Sequence, residues 1–255
     1  MYENNFKYFF NQATTFEKRS KYHLQVVILA GGKATRLYPL TRTIPKSMIE
    51  ICGRPFFEYQ IKLLLKNNIK NIVMCVGTFY RQIVDFFGDG QKLGVSIQYS
   101  IEDPEKLLGT AGALKNAEKY LDDVFFVMYG DSYLPINFTK VYEKFKNNKK
   151  LGLMTIYKNN NKFDKSNVSK LGDLVTVYDK TGKENNLEYI DYGLLILKKE
   201  ALQMIPSNEF VDLGVLMQKL IEKRELISYE VHDRFYEIGS VSGIKDFETY
   251  VKSIQ

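Results

Sequence analysis

The feature that most constrains this chain is a set of short, strongly apolar runs that stop abruptly at glycine or aspartate and alternate with segments of helical spacing. The first is Leu24–Ala30 (LQVVILA), closed by Gly31-Gly32. NIVMCVG, VSIQYS, VFFVMYGD and LGLMTIY follow, with helical patterns between them at Pro55–Lys66, from a Thr78 cap through TFYRQIVDFFG, at Thr110–Tyr120 and at Asn137–Lys149. Runs apolar on both faces are what a parallel strand buried between helices requires. Strand and helix alternating at this spacing predict an α/β fold with a largely parallel sheet. Beyond residue 160 the texture changes to short strands joined by turns, one of them Lys180-Thr181-Gly182-Lys183, which predicts a β-rich insertion. Leu202–Arg224 then reads as a helix, RFYEIGS as a strand and Val241–Ser253 as a closing helix.

At 255 residues the chain is long enough for one large core, and no linker or low-complexity tract divides it. Residues 24–255 read as one domain. Residues 1–23 read as an appended arm, with Phe6, Phe9, Phe10 and Ala13 on one face of a short amphipathic helix that could serve as a homodimer contact. No apolar run approaches the roughly 20 residues a membrane helix needs. The start, MYENNFKYFF, lacks the pattern of a secretory signal. Cys52 and Cys75 match neither a disulfide framework nor a zinc motif, which points to reduced thiols and a cytoplasmic setting. With only two histidines, a multi-histidine metal site is excluded. The net charge is +6, of which Lys140–Lys170 carries +7 through nine lysines against Glu143 and Asp164. That stretch holds no arginine, which argues against nucleic acid. It reads as a solvated face, or as a field attracting phosphorylated substrates.

The segment richest in chemistry is LAGGKATRLYPLT followed by IPKSM. Ligands of open α/β sheets bind beyond the carboxyl ends of the strands. Gly31 and Gly32 stand there, where bare backbone lets a base or phosphate approach and its N–H groups can face an anion. Arg36 and Lys46 add a planar fork and a point charge for phosphate oxygens. The run fits neither of the two commonest phosphate-loop patterns. A second run, VFFVMYG, delivers Asp131 to a strand end, a suitable place for a Mg2+ ligand and equally for a turn or cap aspartate.

Together, Gly31-Gly32, Thr35-Arg36-Leu37, Pro39-Leu40-Thr41, Pro45-Lys46, Leu108-Gly109-Thr110-Ala111-Gly112 and Gly130-Asp131 resemble the nucleotidyltransferases that make NDP-sugars from sugar 1-phosphates. The Ala-Thr-Arg-Leu, Tyr-Asp-Lys and Ile-Asp-Tyr-Gly-Leu versions look most like the branch that uses GTP and D-glycero-D-manno-heptose 1-phosphate, which shades into mannose 1-phosphate enzymes. The resemblance implies a Rossmann-like, mostly parallel sheet flanked by helices, with a small β-rich sugar-binding insertion (the nucleotide-diphospho-sugar transferase fold). It implies that Leu29, Gly31, Gly32, Thr35, Gly109 and Thr110 hold the NTP. Arg36 would steady the triphosphate, Lys46 would bridge the two reacting phosphates, and Asp131 would bind Mg2+. Glu237 stands where the family has its second metal carboxylate. Asp179 and Lys180 would hold the sugar phosphate, and Asp191 and Gly193 the sugar. Ala34 replaces a glycine common in the family, which suits a position that does not need positive φ. Other readings of the same segments are a cytidylyltransferase for a small phosphorylated alcohol such as phosphocholine, and a non-catalytic sugar-nucleotide sensor.

Overall fold

The computed structural model describes residues 22–254. The expected N-terminal helix lies outside the described residues. In chain order the strands are β1 (Gln25–Leu29), β2 (Glu50–Ile51), β3 (Arg54–Pro55), β4 (Asn71–Val76), β5 (Ser96–Ile101), β6 (Val124–Tyr129), β7 (Ser132–Tyr133), β8 (Gly152–Lys158), β9 (Val168–Leu171), β10 (Leu174–Tyr178), β11 (Tyr189–Lys198), β12 (Leu226–Val231) and β13 (Tyr236–Glu237). The helices are α1 (Phe56–Lys66), α2 (Tyr80–Phe87), α3 (Gly109–Asn116), α4 (Phe138–Lys146), α5 (Leu213–Glu222) and α6 (Val241–Ser253).

Nine strands form one sheet in the order β5-β4-β1-β6-β11-β8-β12-β10-β9. β5, β4, β1 and β6 are mutually parallel, as are β8 and β12, whereas β11 runs antiparallel between β6 and β8. Seven of the nine strands therefore point the same way, and the half built from the apolar runs β5, β4, β1 and β6 is wholly parallel, whereas the half from β11 to β9 is mixed. The β-rich segment does not form a separate layer. β9 and β10 pair as a hairpin and extend the same sheet past β12.

Alternation along β1 divides the core. Val27 and Leu29 face a cluster with Ala113, Leu114 and Leu216 of α3 and α5, while Val26 and Ile28 face Phe57, Ile61, Ile83 and Phe138 of α1, α2 and α4. A third cluster packs the other side of α1 (Phe56, Tyr59, Leu63) on Phe247 of α6, and buries Leu37 and Tyr133. Leu37 anchors the loop that carries Arg36.

Several element ends depart from the sequence reading. Thr78 does not cap α2: Phe79 takes that position at φ 60°, and the buried Thr78 hydroxyl makes no hydrogen bond. Pro55 closes β3 and precedes α1 instead of opening it. The expected helix over Leu202–Arg224 is interrupted. A 3-10 turn ends at Met204, residues 205–211 form an irregular segment with a turn at Ser207-Asn208, and α5 starts at Leu213 behind an Asp212 cap. Pro206 blocks helical continuation, and residues 209–211 are held elsewhere, against α3. Of RFYEIGS only Tyr236–Glu237 pairs, with β7.

Candidate functional site

β1 leads outward through α1 and α2 to β4 and β5, and the chain then returns to β6 on the other side of β1. The crevice at this reversal, beyond the ends of β1 and β6, is where such sheets accept ligands. Leu29-Ala30-Gly31 and Tyr129-Gly130-Asp131 border it. The two strand ends touch closely: a Cβ on Gly130 would stand 2.8 Å from the Ala30 Cβ and 3.0 Å from the Leu29 carbonyl oxygen. Only glycine permits that approach. Buried Gln60 of α1 fixes the turn, its Nε2 donating to the carbonyls of Tyr129 (3.0 Å) and Ser132 (2.7 Å). Sequence reasoning passed over Gln60, because a polar residue on a helix signals nothing until its partners are known.

Two cavities meet here. The smaller, about 380 Å³, includes Leu29, Gly31, Gly32, Lys46, Glu102, Gly109, Thr110 and Phe210 in its walls. The larger, about 820 Å³, includes Arg36, Lys180, Asp191, Gly193, Arg234 and Glu237. Tyr129, Asp131 and Asp212 border both. The residues assigned to nucleotide and to sugar thus separate into adjoining spaces with Asp131 at the junction, except that Arg36, expected at the triphosphate, lines the larger cavity with the sugar residues. Thr35 borders neither.

Lys46 sits in a 3-10 turn after Pro45, and its Nζ lies 2.7 Å from Asp131 Oδ2. The β7–β13 pairing sets Glu237 opposite Ser132, and the Ile238 N–H donates to the Asp131 carbonyl (2.9 Å). Glu237 Oε2 and Asp131 Oδ2 both border the space beside Gly239, 2.5 and 3.6 Å from where a Cβ there would stand. Burial and the neighbouring Asp131 raise the Glu237 pKa, against the lowering pull of Lys46, the Gly239 amide and Arg36. Two neighbouring carboxylates, one of them raising the proton affinity of the other, suit a divalent cation. Among the described residues no cluster of three or more Asp, Glu, His or Cys stands ready to hold a metal. A pair of carboxylates completed by water and phosphate oxygens fits Mg2+, which takes few protein ligands.

The loop carrying Arg36 departs from the sequence expectation at Ala34. Ala34 lies at φ 51°, in the left-handed region, so this position does need positive φ. The Thr41 hydroxyl holds the turn by donating to the Ala34 carbonyl (2.7 Å). An alanine methyl is strained there. Ala34→Gly is expected to stabilise the fold by about 1 kcal/mol and raise the thermal midpoint by roughly 2–4 °C, measurable by calorimetry.

In the larger cavity, the Asp179 carboxylate is occupied by its own turn, accepting from the Thr181 N–H and hydroxyl and the Gly182 and Glu184 N–H groups. These bonds, the Thr181 hydroxyl first, hold its pKa well below the usual carboxylate range. Lys180, next to it, points to Asp212 (3.1 Å). Asp191 accepts from the Tyr178 hydroxyl (3.0 Å) and the Gly193 amide (2.9 Å), and burial raises its pKa. Gly193 adopts φ 100°, which supports glycine at this position.

Glu102, Phe210, Asp212 and Arg234 also border the site, and sequence reasoning missed them. Glu102 is only 5% exposed. Its Oε2 accepts from the Leu108 N–H (2.7 Å), and its Oε1 lies 2.8 Å from where a Gly31 Cβ would stand. A glutamate just past a strand, ahead of Gly109-Thr110, was the available signal.

Among the described residues no helix is long and apolar enough to cross a membrane. The sequence matches the family described as nucleotidyl transferase over residues 25–248. It is 32% identical over 217 residues to a UTP–glucose-1-phosphate uridylyltransferase of Synechocystis, covering 78% of this chain and 55% of that protein. The chain thus spans about half the length of this relative. It is 30% identical over 219 residues to a D-glycero-alpha-D-manno-heptose 1-phosphate guanylyltransferase of Campylobacter jejuni, covering 85% and 95%. The fold matches that of HddC from Yersinia pseudotuberculosis with a TM-score of 0.74 at 23% identity, over 89% of this chain and 99% of the other. With the matched region running from the first strand into the last helix, the chain belongs to the nucleotidyl transferase family.

Proposed function

We propose that this protein joins GTP to a sugar 1-phosphate, heptose or mannose 1-phosphate, giving a GDP-sugar and pyrophosphate with Mg2+ as cofactor. The observation that carries the reading is the meeting of two cavities at Asp131, with Lys46 on one side and Arg36 on the other. The acceptor phosphate is an anion at neutral pH and needs no general base. The obstacle is repulsion between two polyanions. Lys46 offsets it at the junction as a point charge, and Arg36 offers a guanidinium fork. Asp131 and Glu237 would hold Mg2+, which supplies charge neutralisation on the phosphates when bound.

Glu102 supports guanine. An ionised carboxylate only accepts hydrogen bonds, and guanine presents N1–H and N2–H side by side on one edge. Uracil offers one donor between two acceptors on that edge. The larger cavity supports a sugar: Asp191 and its neighbours supply acceptors for hydroxyls. Phosphocholine is disfavoured by Arg234. Its guanidinium covers Phe163 (4.4 Å) and Tyr236 (4.9 Å) and pairs with Asp246 (2.6 Å). Aromatic faces that would cage a trimethylammonium group are thus already taken by a cation of the protein itself.

The test is product analysis by mass spectrometry, with GTP, CTP, UTP and dTTP each offered heptose 1-phosphate, mannose 1-phosphate, glucose 1-phosphate or phosphocholine. GDP-heptose or GDP-mannose is the expected product. CDP-choline, or no product from any pair, contradicts the proposal. Chelating divalent ions with EDTA is expected to abolish turnover and added Mg2+ to restore it; full activity in EDTA removes the metal.

A further inference from the structure

The structure assigns Asp212 as a positioning residue: its one carboxylate, at the junction of the two cavities, holds the Lys180 ammonium in place for the acceptor phosphate and ties it to the nucleotide side through Thr110. This rests on the function proposed above and deepens it. Asp212 Oδ1 lies 3.1 Å from Lys180 Nζ and accepts from the Gly214 N–H (2.7 Å), capping α5. Oδ2 accepts from the Thr110 hydroxyl (3.2 Å). Thr110 in turn accepts from the Leu213 N–H (2.7 Å).

The chain is built to bring Asp212 here. Residues 209–211 lie against the start of α3. The Val211 carbonyl accepts from the Ala111 (2.9 Å) and Gly112 (3.2 Å) N–H groups, and the Val211 N–H donates to the Leu108 carbonyl (2.8 Å). A Cβ on Gly109 would stand 2.7 Å from the Val211 oxygen, and one on Gly112 2.7 Å from the Glu209 oxygen. Both glycines of Leu108–Gly112 therefore admit the 209–211 segment, whatever else they do for a nucleotide. The helix expected across 202–224 breaks at the place where Asp212 must reach the junction.

Lys180 has a long, flexible stem and other places to go. Its ammonium stands 5.8 Å from the ring centroids of both Tyr129 and Tyr178. Its charge also acts on the buried Asp191 carboxylate. Asp212 is what fixes the ammonium between the cavities. Burial alone would raise the Asp212 pKa, but the Gly214 amide, Lys180 and Thr110 bring it below the ordinary value, so the carboxylate remains charged for this role.

The experiment separates positioning from capping. Asparagine caps helices about as well as aspartate but carries no charge. Asp212→Asn is expected to leave the thermal midpoint within about 2 °C of wild type and to raise the KM for mannose 1-phosphate roughly fivefold, the scale of a half-exposed ion pair. The KM for GTP and kcat should change by less than about twofold. Lys180→Gln should raise the same KM, and the double variant should be no worse than Lys180→Gln alone. An unchanged or lower KM for mannose 1-phosphate in Asp212→Asn, or additive effects in the double variant, overturns the inference while wild-type turnover keeps the proposed function. No turnover by wild type with any sugar 1-phosphate removes both.

Discussion

Lys46→Ala is expected to lower kcat by about 10²–10³ without unfolding the protein, the cost of removing one preorganised charge at a developing anion. Lys46 makes a part-exposed ion pair with Asp131, both side chains about a quarter accessible, so little stability rests on it. Its value lies in where the charge stands. Beside Asp131, where the two cavities meet, the ammonium would on the proposed function lower the repulsion between the incoming sugar phosphate and the α-phosphate. Lys46→Arg should recover little, because a planar fork does not reproduce a compact point charge in that space. Asp131→Ala and Arg36→Ala should each lose a comparable factor. Pyrophosphate release under saturating substrates, with circular dichroism on each variant, measures this. Near-normal turnover in Lys46→Ala would show that the junction is not where the reaction occurs.

Glu102→Gln is expected to change which base is accepted. The amide gives glutamine both a donor and an acceptor, so its fit to guanine's paired donors is broken and a match to uracil's donor-and-acceptor edge appears. The KM for GTP should rise roughly tenfold or more, with measurable use of UTP. Unchanged GTP preference would show that Glu102 only holds the Leu108 loop. Stability gives a second readout. Burial raises the Glu102 pKa, partly offset by the Leu108 N–H. The folded state therefore binds the proton more tightly than the unfolded chain, and above the folded pKa the buried charge lowers stability. That penalty fades as pH falls through the folded pKa towards the unfolded value. Glu102→Gln should accordingly melt higher than wild type at pH 8, by a margin that shrinks in acid.

The parallel part of the fold was legible because buried strands must be apolar on both faces, and β1, β4 and β6 declare this in five or six residues each. Gly31, Arg36, Lys46 and Asp131 were legible as members of linear motifs near strand ends. The unread parts depend on contacts distant in sequence. Glu237 was read from the resemblance alone, since the two-residue pairing with β7 that brings it beside Asp131 is too short to register as periodicity. The interruption before Asp212 follows from docking on α3, a tertiary contact that overrides a helical apolar pattern. The left-handed Ala34 was hidden because a turn that favours glycine can still be closed around alanine when Thr41 and Leu37 hold it from both sides.

Nucleotide and acceptor bound in adjoining cavities should react in one in-line displacement at the α-phosphorus. The most direct measurement is the stereochemical course with GTP carrying a chiral α-thiophosphate and mannose 1-phosphate as acceptor. One displacement predicts inversion of configuration in the GDP-mannose thio-analogue. Retention would mean two displacements through an intermediate on the protein, and would contradict the account.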